Sequence, residues 1–93
     1  MSKVTLQGYI VVSDDDLAAV QAELLKHIEL TRKEEGCLVF RVTQDKENKN
    51  TFTVYEEFVN REAFESHQQR VKRSQWGEIT ANVERHYQIS ESR

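Results

Sequence analysis

A histidine and a glutamate in one short segment are the residues of this chain best suited to acid–base chemistry. The segment runs from Tyr55 to His67, and its pattern predicts a strand, a cap at Asn60 and a helix. At about 100° per residue, His67 shares a helix face with Phe64 and Val71, so its ring should face the sheet and not water. A buried imidazole can serve as a general base near neutral pH.

Glu56 is the predicted partner of His67. Alternation along the strand places Glu56 on the same face as Phe52 and Phe58. If this face meets the helices, the Glu56 carboxylate lies near His67, where it would hold the ring in one tautomer and raise its pKa. We therefore predict that His67 and Glu56 are catalytic. The alternative is a structural Glu–His hydrogen bond that only satisfies two buried polar groups.

Other residues could contact a substrate in the same region. His27 borders the apolar stripe of the first predicted helix, Trp76 could close over a pocket, and Arg73 belongs to a cationic run that could hold a carboxylate or phosphate. The simpler explanations are a boundary position for His27, core packing for Phe40 and Phe64, and a solvated helix end for Arg73. The predicted substrate-binding residues are His27, Phe40, Phe64, Trp76 and Arg73.

Composition excludes several classes of function. The 93 residues carry 16 acidic and 13 basic side chains with both signs interspersed, which indicates a single domain over residues 1–93 and no nucleic-acid partner. The longest apolar run has only the length of a strand, so no membrane association is expected. The single cysteine, Cys37, excludes an intrachain disulfide and favours a reducing cytoplasm. The histidines lack a metal-ligand spacing, so no metal site is expected.

These side chains must be positioned by a sheet and two helices. Alternating or apolar segments predict strands at 3–12, 37–43, 51–58 and 82–89, with a polar turn at 45–50. Helical spacing predicts helices at 14–34 and from Asn60 to about residue 72, with a short helical turn within 74–81. Ser13 and Asp16 resemble a capping box, and Gly36 can end the first helix in a left-handed conformation.

The element order predicts an α+β fold, the ferredoxin-like split βαβ sandwich (βαββαβ) with an antiparallel sheet and both helices on one face. Leu38 and Phe40 should project from one face of the second strand and Val39 from the other, just as Tyr9 and Val11 oppose Leu6 and Ile10 on the first strand. If one set meets the helices, the other is left uncovered in a monomer. A partly apolar second face on a small sheet favours a partner. Two such sheets packed face to face would form a homodimer, a dimeric α+β barrel.

Three short motifs resemble a known family in their order and spacing. They are Glu34–Leu38 after the first helix, Tyr55–Phe58, and Glu62–Phe64 followed by His67. This pattern is similar to the antibiotic biosynthesis monooxygenase (ABM) family of dimeric α+β barrels, over roughly residues 3–89. The resemblance implies a homodimer that oxidises polycyclic phenols or quinols with molecular oxygen and no cofactor. Other members degrade haem, and one branch, most similar around Tyr55 to His67, isomerises a phosphorylated breakdown product of autoinducer-2.

The haem-degrading activity does not fit this sequence. Those members use an asparagine on the first strand, a tryptophan on the second helix and a histidine about ten residues later. In this chain the first position is close to Gly8, the second carries His67, and the third lies near Trp76. The expected function is a cofactor-independent oxygenation of a small quinol-like or polyphenolic molecule, with His67 as the base. Two alternatives remain: isomerisation of a phosphorylated hydroxy-ketone held by Arg70 or Arg73, and a non-enzymatic dimer that binds a metabolite.

Overall fold

Four strands and three helices make up residues 2–92, the part of the chain that this computed structural model describes. In chain order they are β1 (Lys3–Val11), α1 (Asp14–Arg32), β2 (Cys37–Gln44), β3 (Thr51–Phe58), α2 (Arg61–Lys72), α3 (Gln75–Ile79) and β4 (Glu84–Ser92). The predicted helical turn around Trp76 is a short helix. The fourth strand starts at Glu84 and ends at Ser92, later at both ends than the prediction of 82–89.

The strands form one antiparallel sheet in the order β2-β3-β1-β4. β1 lies in the centre and pairs with β3 on one side and β4 on the other, so the two ends of the chain meet in neighbouring strands. The helices pack on one face of this sheet, which confirms the predicted ferredoxin-like α+β fold.

The hydrophobic core lies between the sheet and the helices. Its centre consists of alternate side chains from the two middle strands, Leu6 and Ile10 on β1 and Phe52 and Phe58 on β3, all of them buried. Alternation places these side chains on one face, where α2 covers them with Phe64. Each large apolar side chain buried here contributes about 1.5–3 kcal/mol, so these positions hold the helices against the sheet.

β2 departs from the predicted alternation at Leu38. Its register with β3 shifts between Cys37 and Val39, so Leu38 is the extra residue of a β-bulge. Phe40 is buried, as predicted, but Leu38 is 54% exposed. The prediction that Leu38 and Phe40 share one face of the strand is therefore wrong, because the bulge interrupts the alternation of side chains between Cys37 and Val39.

The loop after α1 contacts α2 closely. α1 ends at Arg32, two residues earlier than predicted, and its C-cap is Lys33 in a right-handed conformation. Gly36 has a left-handed φ of +91°, but it lies beyond the cap, so the prediction that it ends the helix is wrong. A Cβ on Gly36 would lie only 2.7 Å from the Cβ of Ala63, so only glycine lets the loop approach α2 this closely. The same loop carries Glu34.

The two long helices begin differently. The Asn60 side chain accepts a hydrogen bond of 2.8 Å from the backbone N–H of Ala63, as a capping residue should. Ser13 makes no such bond, and its hydroxyl instead donates to the Asp16 carboxylate. The predicted capping box of Ser13 and Asp16 is therefore not formed.

The sheet face opposite the helices carries aromatic rings together with charged groups. The Tyr9 ring stacks on His86 with 4.6 Å between centroids, and the Arg41 guanidinium lies 5.6 Å from the centroid of Tyr55. Tyr55 also donates a hydrogen bond to the Glu57 carboxylate. This open face is thus amphipathic and not purely apolar. Within residues 2–92, no helix has the length and hydropathy needed to cross a bilayer.

Candidate functional site

A cavity of about 320 Å³ lies between the sheet and the helices, walled by side chains from every element except β2. Its volume falls within the range of sites that bind small organic molecules. Leu6 and Ile10 form its apolar floor on β1. Its polar lining residues are His27, Glu56, His67, Gln68, Lys72, Thr80, Arg85 and Tyr87.

His67 reaches the cavity from α2 and is 3% exposed. Its Nδ1 lies 2.9 Å from Oε1 of Glu34, a hydrogen-bonding distance. Its Nε2 lies 3.8 Å from Oε1 of Glu56, which is too far for a direct hydrogen bond. The expectation that Glu56 hydrogen-bonds the ring is therefore corrected: Glu56 does face inward near His67, but the bonded carboxylate is Glu34.

Glu34 is itself held by an arginine. The Nε of Arg70 donates to Oε2 of Glu34, and its Nη2 donates to Oγ1 of the fully buried Thr31 at 3.0 Å. These bonds link α1, the loop that follows it and α2 beneath His67. Arg70, considered above as a phosphate ligand, is engaged in this network.

Glu56 is a neutral acid in this environment. It is 7% exposed, and burial, together with the nearby charge of Glu34, raises its pKa from 4.5 to about 8. Most of the Glu56 carboxyl is therefore protonated at neutral pH. Within residues 2–92 its Oε1 has no hydrogen-bond partner, so it can donate to or accept from a molecule in the cavity.

Burial also controls the protonation of His67. Desolvation lowers the pKa of His67 below its ordinary value, and this effect outweighs the opposing effects of the Glu34 charge and hydrogen bond. The expectation that a neighbouring carboxylate raises the pKa of His67 is therefore wrong in its net direction. The imidazole is neutral at pH 7, and one ring nitrogen is free to accept a proton.

His27 and Trp76 form another wall of the cavity. Their rings are stacked, with centroids 4.5 Å apart and planes 5° from parallel. Burial, followed by the charges of His67 and Arg70, lowers the pKa of His27 to about 3, so this ring is also neutral. Its Nδ1 is buried and has no hydrogen-bond partner among the described residues. Both residues line the cavity, and Trp76 is a buried wall residue in this structure.

Three predicted substrate-binding residues do not line the cavity. Phe40 packs edge-on against His67 with 5.8 Å between centroids, and Phe64 packs against Phe58 at the same distance. Both therefore support the site from the core. Arg73 is exposed and ends α2 through its backbone. Consecutive side chains of a helix point in different directions around its axis. For this reason Lys72 borders the cavity and Arg73 does not.

Sequence reasoning missed Glu34, Arg85 and Tyr87, and it considered Lys72 only as one member of the cationic run. Arg85 donates hydrogen bonds to the backbone carbonyls of Thr80 at 2.7 Å and Val83 at 3.4 Å, which fix its guanidinium beside the cavity. Alternation from Val83 could have placed Arg85 and Tyr87 on the inner face of β4. Glu34 gives no such signal, because it lies on an irregular loop 33 residues from His67.

Comparison with solved structures shows the same fold in several bacterial proteins. A protein provisionally named an antibiotic biosynthesis monooxygenase, from Bacteroides thetaiotaomicron VPI-5482, has 25% identity and a TM-score of 0.77, with 99% of this chain and 88% of that chain covered. A second protein of that strain, named a candidate oxidoreductase of unknown function, has 18% identity and a TM-score of 0.77 over 98% of both chains. A provisionally named antibiotic biosynthesis monooxygenase from Nitrosomonas europaea has 20% identity and a TM-score of 0.72, with 98% and 88% covered.

The comparison of sequences gives the family directly. No protein with a curated description matches the chain. The sequence profile of antibiotic biosynthesis monooxygenase, in contrast, matches residues 3–78, which include His27, Glu34, Glu56, His67 and Trp76. The chain therefore belongs to the antibiotic biosynthesis monooxygenase family.

Proposed function

We propose that the protein is a cofactor-independent monooxygenase that acts on a small quinol-like or polyphenolic molecule in this cavity. The observation that carries the proposal is the position of the buried His67 and Glu56 side chains at one cavity, with Nε2 and Oε1 3.8 Å apart. The lowered pKa of His67 and the raised pKa of Glu56 favour the neutral form of both groups. Family membership supports oxygenation chemistry. We also propose that the enzyme resides in a reducing cytoplasm, since its only cysteine has no partner in the chain.

His67 begins the proposed reaction as a general base. It removes a phenolic proton, and the electron-rich anion then reduces molecular oxygen directly. In the balanced reaction a quinol and O₂ give a hydroxyquinone and water: one oxygen atom forms a bond to ring carbon, the O–O bond breaks, and the second atom leaves as water. The substrate supplies all four electrons, two in becoming a quinone and two in being hydroxylated, so no external reductant is needed.

Glu56, His27 and Trp76 have complementary roles in this proposal. The protonated Glu56 donates a hydrogen bond to a substrate oxygen on which negative charge develops, which lowers the energy of the anion. The unpartnered Nδ1 of His27 supplies a second polar contact. The flat His27–Trp76 stack offers an aromatic surface to a planar ring and limits the access of water.

Oxygen uptake with a panel of quinols tests the proposal. We expect the wild type to consume oxygen and His67→Gln to lose about 100-fold or more of that rate, since general-base catalysis contributes about 10²–10⁴-fold. Glu65→Gln is the control, because Glu65 is exposed on α2 and does not line the cavity. Urea unfolding should show that both variants are folded. No oxygen uptake by the wild type across the panel would contradict the proposal, and a ligand-induced melting shift without turnover would favour a non-enzymatic binding protein.

A second candidate, isomerisation of a phosphorylated hydroxy-ketone, is favoured by the charges at the cavity. Lys72 and Arg85 both line it, and Glu56, the acid beside them, is largely neutral. An anionic group could therefore bind these two cations while His67 moves a proton at the adjacent carbon. Incubation of such a ketone in D₂O should then introduce deuterium, observable by proton NMR. A flat time course with wild-type protein would exclude this reaction for that substrate.

We further propose that the protein is a homodimer joined through the open face of the sheet. Tyr9 is 41% exposed there, and the half-buried Val11 and Val39 lie on the same face. The stacked and charged groups of this face, such as His86 and Arg41, can form contacts across a two-fold axis. Burial of the Tyr9 ring provides an apolar contribution to the association.

A further inference from the structure

We propose that Glu34 is a positioning residue for His67: its carboxylate holds the proton of the imidazole on Nδ1 and leaves Nε2 as the basic nitrogen facing the cavity. This assignment differs from the pair of Glu56 and His67 predicted from the sequence. Its effect on turnover depends on the proposed function, but its effect on the ring does not.

The hydrogen bond defines the tautomer. Oε1 of Glu34 lies 2.9 Å from Nδ1 of His67. A carboxylate only accepts hydrogen bonds, so the neutral ring must carry its proton on Nδ1 to satisfy both groups. The lone pair is then on Nε2, 3.8 Å from Glu56 and at the cavity wall. In the other tautomer two lone pairs would face each other across the Glu34 contact.

The carboxylate of Glu34 is itself fixed in orientation. Arg70 donates to its second oxygen and is anchored in turn on Thr31, which is fully buried. Arg70 and Glu34 form an ion pair, so the charge of this partly buried carboxylate is balanced by the guanidinium. Two opposite sides of the group are thus occupied, one by a guanidinium and one by an imidazole.

Packing holds the plane of the His67 ring. The Phe58 ring lies 4.9 Å from it at an angle of 31°, and the Phe40 ring lies 5.8 Å away in an edge-on arrangement. A rotated ring would lose the Glu34 hydrogen bond and meet these aromatic neighbours. Glu34 and the two phenylalanines therefore direct Nε2 to one place at the cavity wall.

Glu34→Gln is the decisive variant. Arg70 can donate only to the amide oxygen, so the amide NH₂ must face His67 and donate to Nδ1. We expect the ring to switch to the Nε2–H tautomer, which cannot accept a proton from a molecule in the cavity. Turnover should fall by about 10²–10⁴-fold, the range that general-base catalysis contributes.

The test is ¹⁵N NMR of histidine-labelled protein, with the His67 resonances assigned by comparison with His67→Gln. The wild type should show a protonated Nδ1 and an unprotonated Nε2, and Glu34→Gln should show the reverse. Glu35→Gln is the matched control, because Glu35 is the exposed neighbour of Glu34 and should leave the wild-type pattern. Glu34→Asp retains a carboxylate and should restore the Nδ1–H tautomer.

Each outcome of these measurements decides the assignment. An Nε2–H tautomer in the wild type, or an unchanged tautomer in folded Glu34→Gln, would overturn it. If Glu34→Gln does not fold, the wild-type and Glu34→Asp spectra still decide, since both must show Nδ1–H. An Nδ1–H wild type that consumes no oxygen would refute the proposed monooxygenase and leave the positioning role of Glu34 supported.

Discussion

Burial favours the uncharged form of three cavity residues, Glu56, His27 and His67, at neutral pH. The pKa of Glu56 is raised while the pKa values of His27 and His67 are lowered, so each group keeps its uncharged form. A proton can then move between neutral partners and a bound molecule without first desolvating an ion. The same shifts make the stability of the protein depend on pH.

For Glu56 the sign of this dependence follows from a raised pKa. The folded state holds the proton up to about pH 8, whereas the unfolded carboxyl loses it near pH 4.5. The contribution of Glu56 to the free energy of unfolding therefore falls as the pH rises between these two values. The histidines act oppositely, but only below about pH 6.5. From about pH 6.5 to 8, the free energy of unfolding should therefore fall by up to about 1.4 kcal/mol per pH unit.

Glu56→Gln should remove this decrease in the free energy of unfolding with rising pH, because the amide stays neutral. Urea unfolding of both proteins at pH 6.5 to 9 should show the variant gaining stability relative to the wild type as pH rises. Glu65→Gln, an exposed position on α2, serves as the control and should parallel the wild type. Parallel curves for Glu56→Gln and wild type would show that Glu56 is ionised throughout.

Periodicity alone could predict that His67 and Glu56 meet at the cavity, but not how they bond. Helix spacing and strand alternation were sufficient to direct His67 and Glu56 toward one another across the core. The sequence could not show that Glu34 takes the hydrogen bond, because a loop has no period. Nor could the sequence give the direction in which the pKa of His67 shifts, because that direction depends on the balance between burial and the Glu34 charge.

At the scale of elements, two polar residues before helices looked equivalent in the sequence and are not. Asn60 accepts a hydrogen bond from the backbone of Ala63, whereas the Ser13 hydroxyl bonds to Asp16. Asn60 also marks the boundary between β3 and α2, the two elements that carry Glu56 and His67. Its cap therefore fixes where the helix with the proposed base begins.

Asn60→Ala should destabilise the protein by about 0.5–2 kcal/mol, because one backbone donor loses its partner. In a domain of this size each 1 kcal/mol corresponds to about 4–8 °C in Tm. Ser13→Ala provides the comparison and should change stability by less than about 0.5 kcal/mol. Thermal unfolding by circular dichroism measures both, and equal losses for the two variants would contradict the assigned caps.

The elements themselves were largely predictable, and the exceptions have local causes. Apolar alternation and polar turns located the first three strands and both long helices within about two residues, the usual uncertainty of helix ends. The bulge at Leu38 was not predictable, since an inserted residue follows no alternation. The later start and end of β4 follow from its full pairing with β1, down to Ser92 opposite Lys3.

At the scale of the whole molecule, the proposed homodimer uses the open face of the sheet. If two copies meet there, size-exclusion chromatography with light scattering should give twice the chain mass of 10.9 kDa. Tyr9→Glu should shift the equilibrium to the monomer, because it would bury a charge at the interface. Leu25→Glu on α1, where the side chain is 68% exposed, is the control and should stay dimeric. A wild type of single-chain mass would contradict the dimer.

The stack of Trp76 on His27 has a practical consequence. The chain contains one tryptophan, so all indole emission originates from the wall of the cavity. A compound that enters the cavity contacts the chromophore directly and changes its surroundings. The intrinsic fluorescence of Trp76 should therefore change when a ligand binds, so candidate ligands can be titrated without any added label.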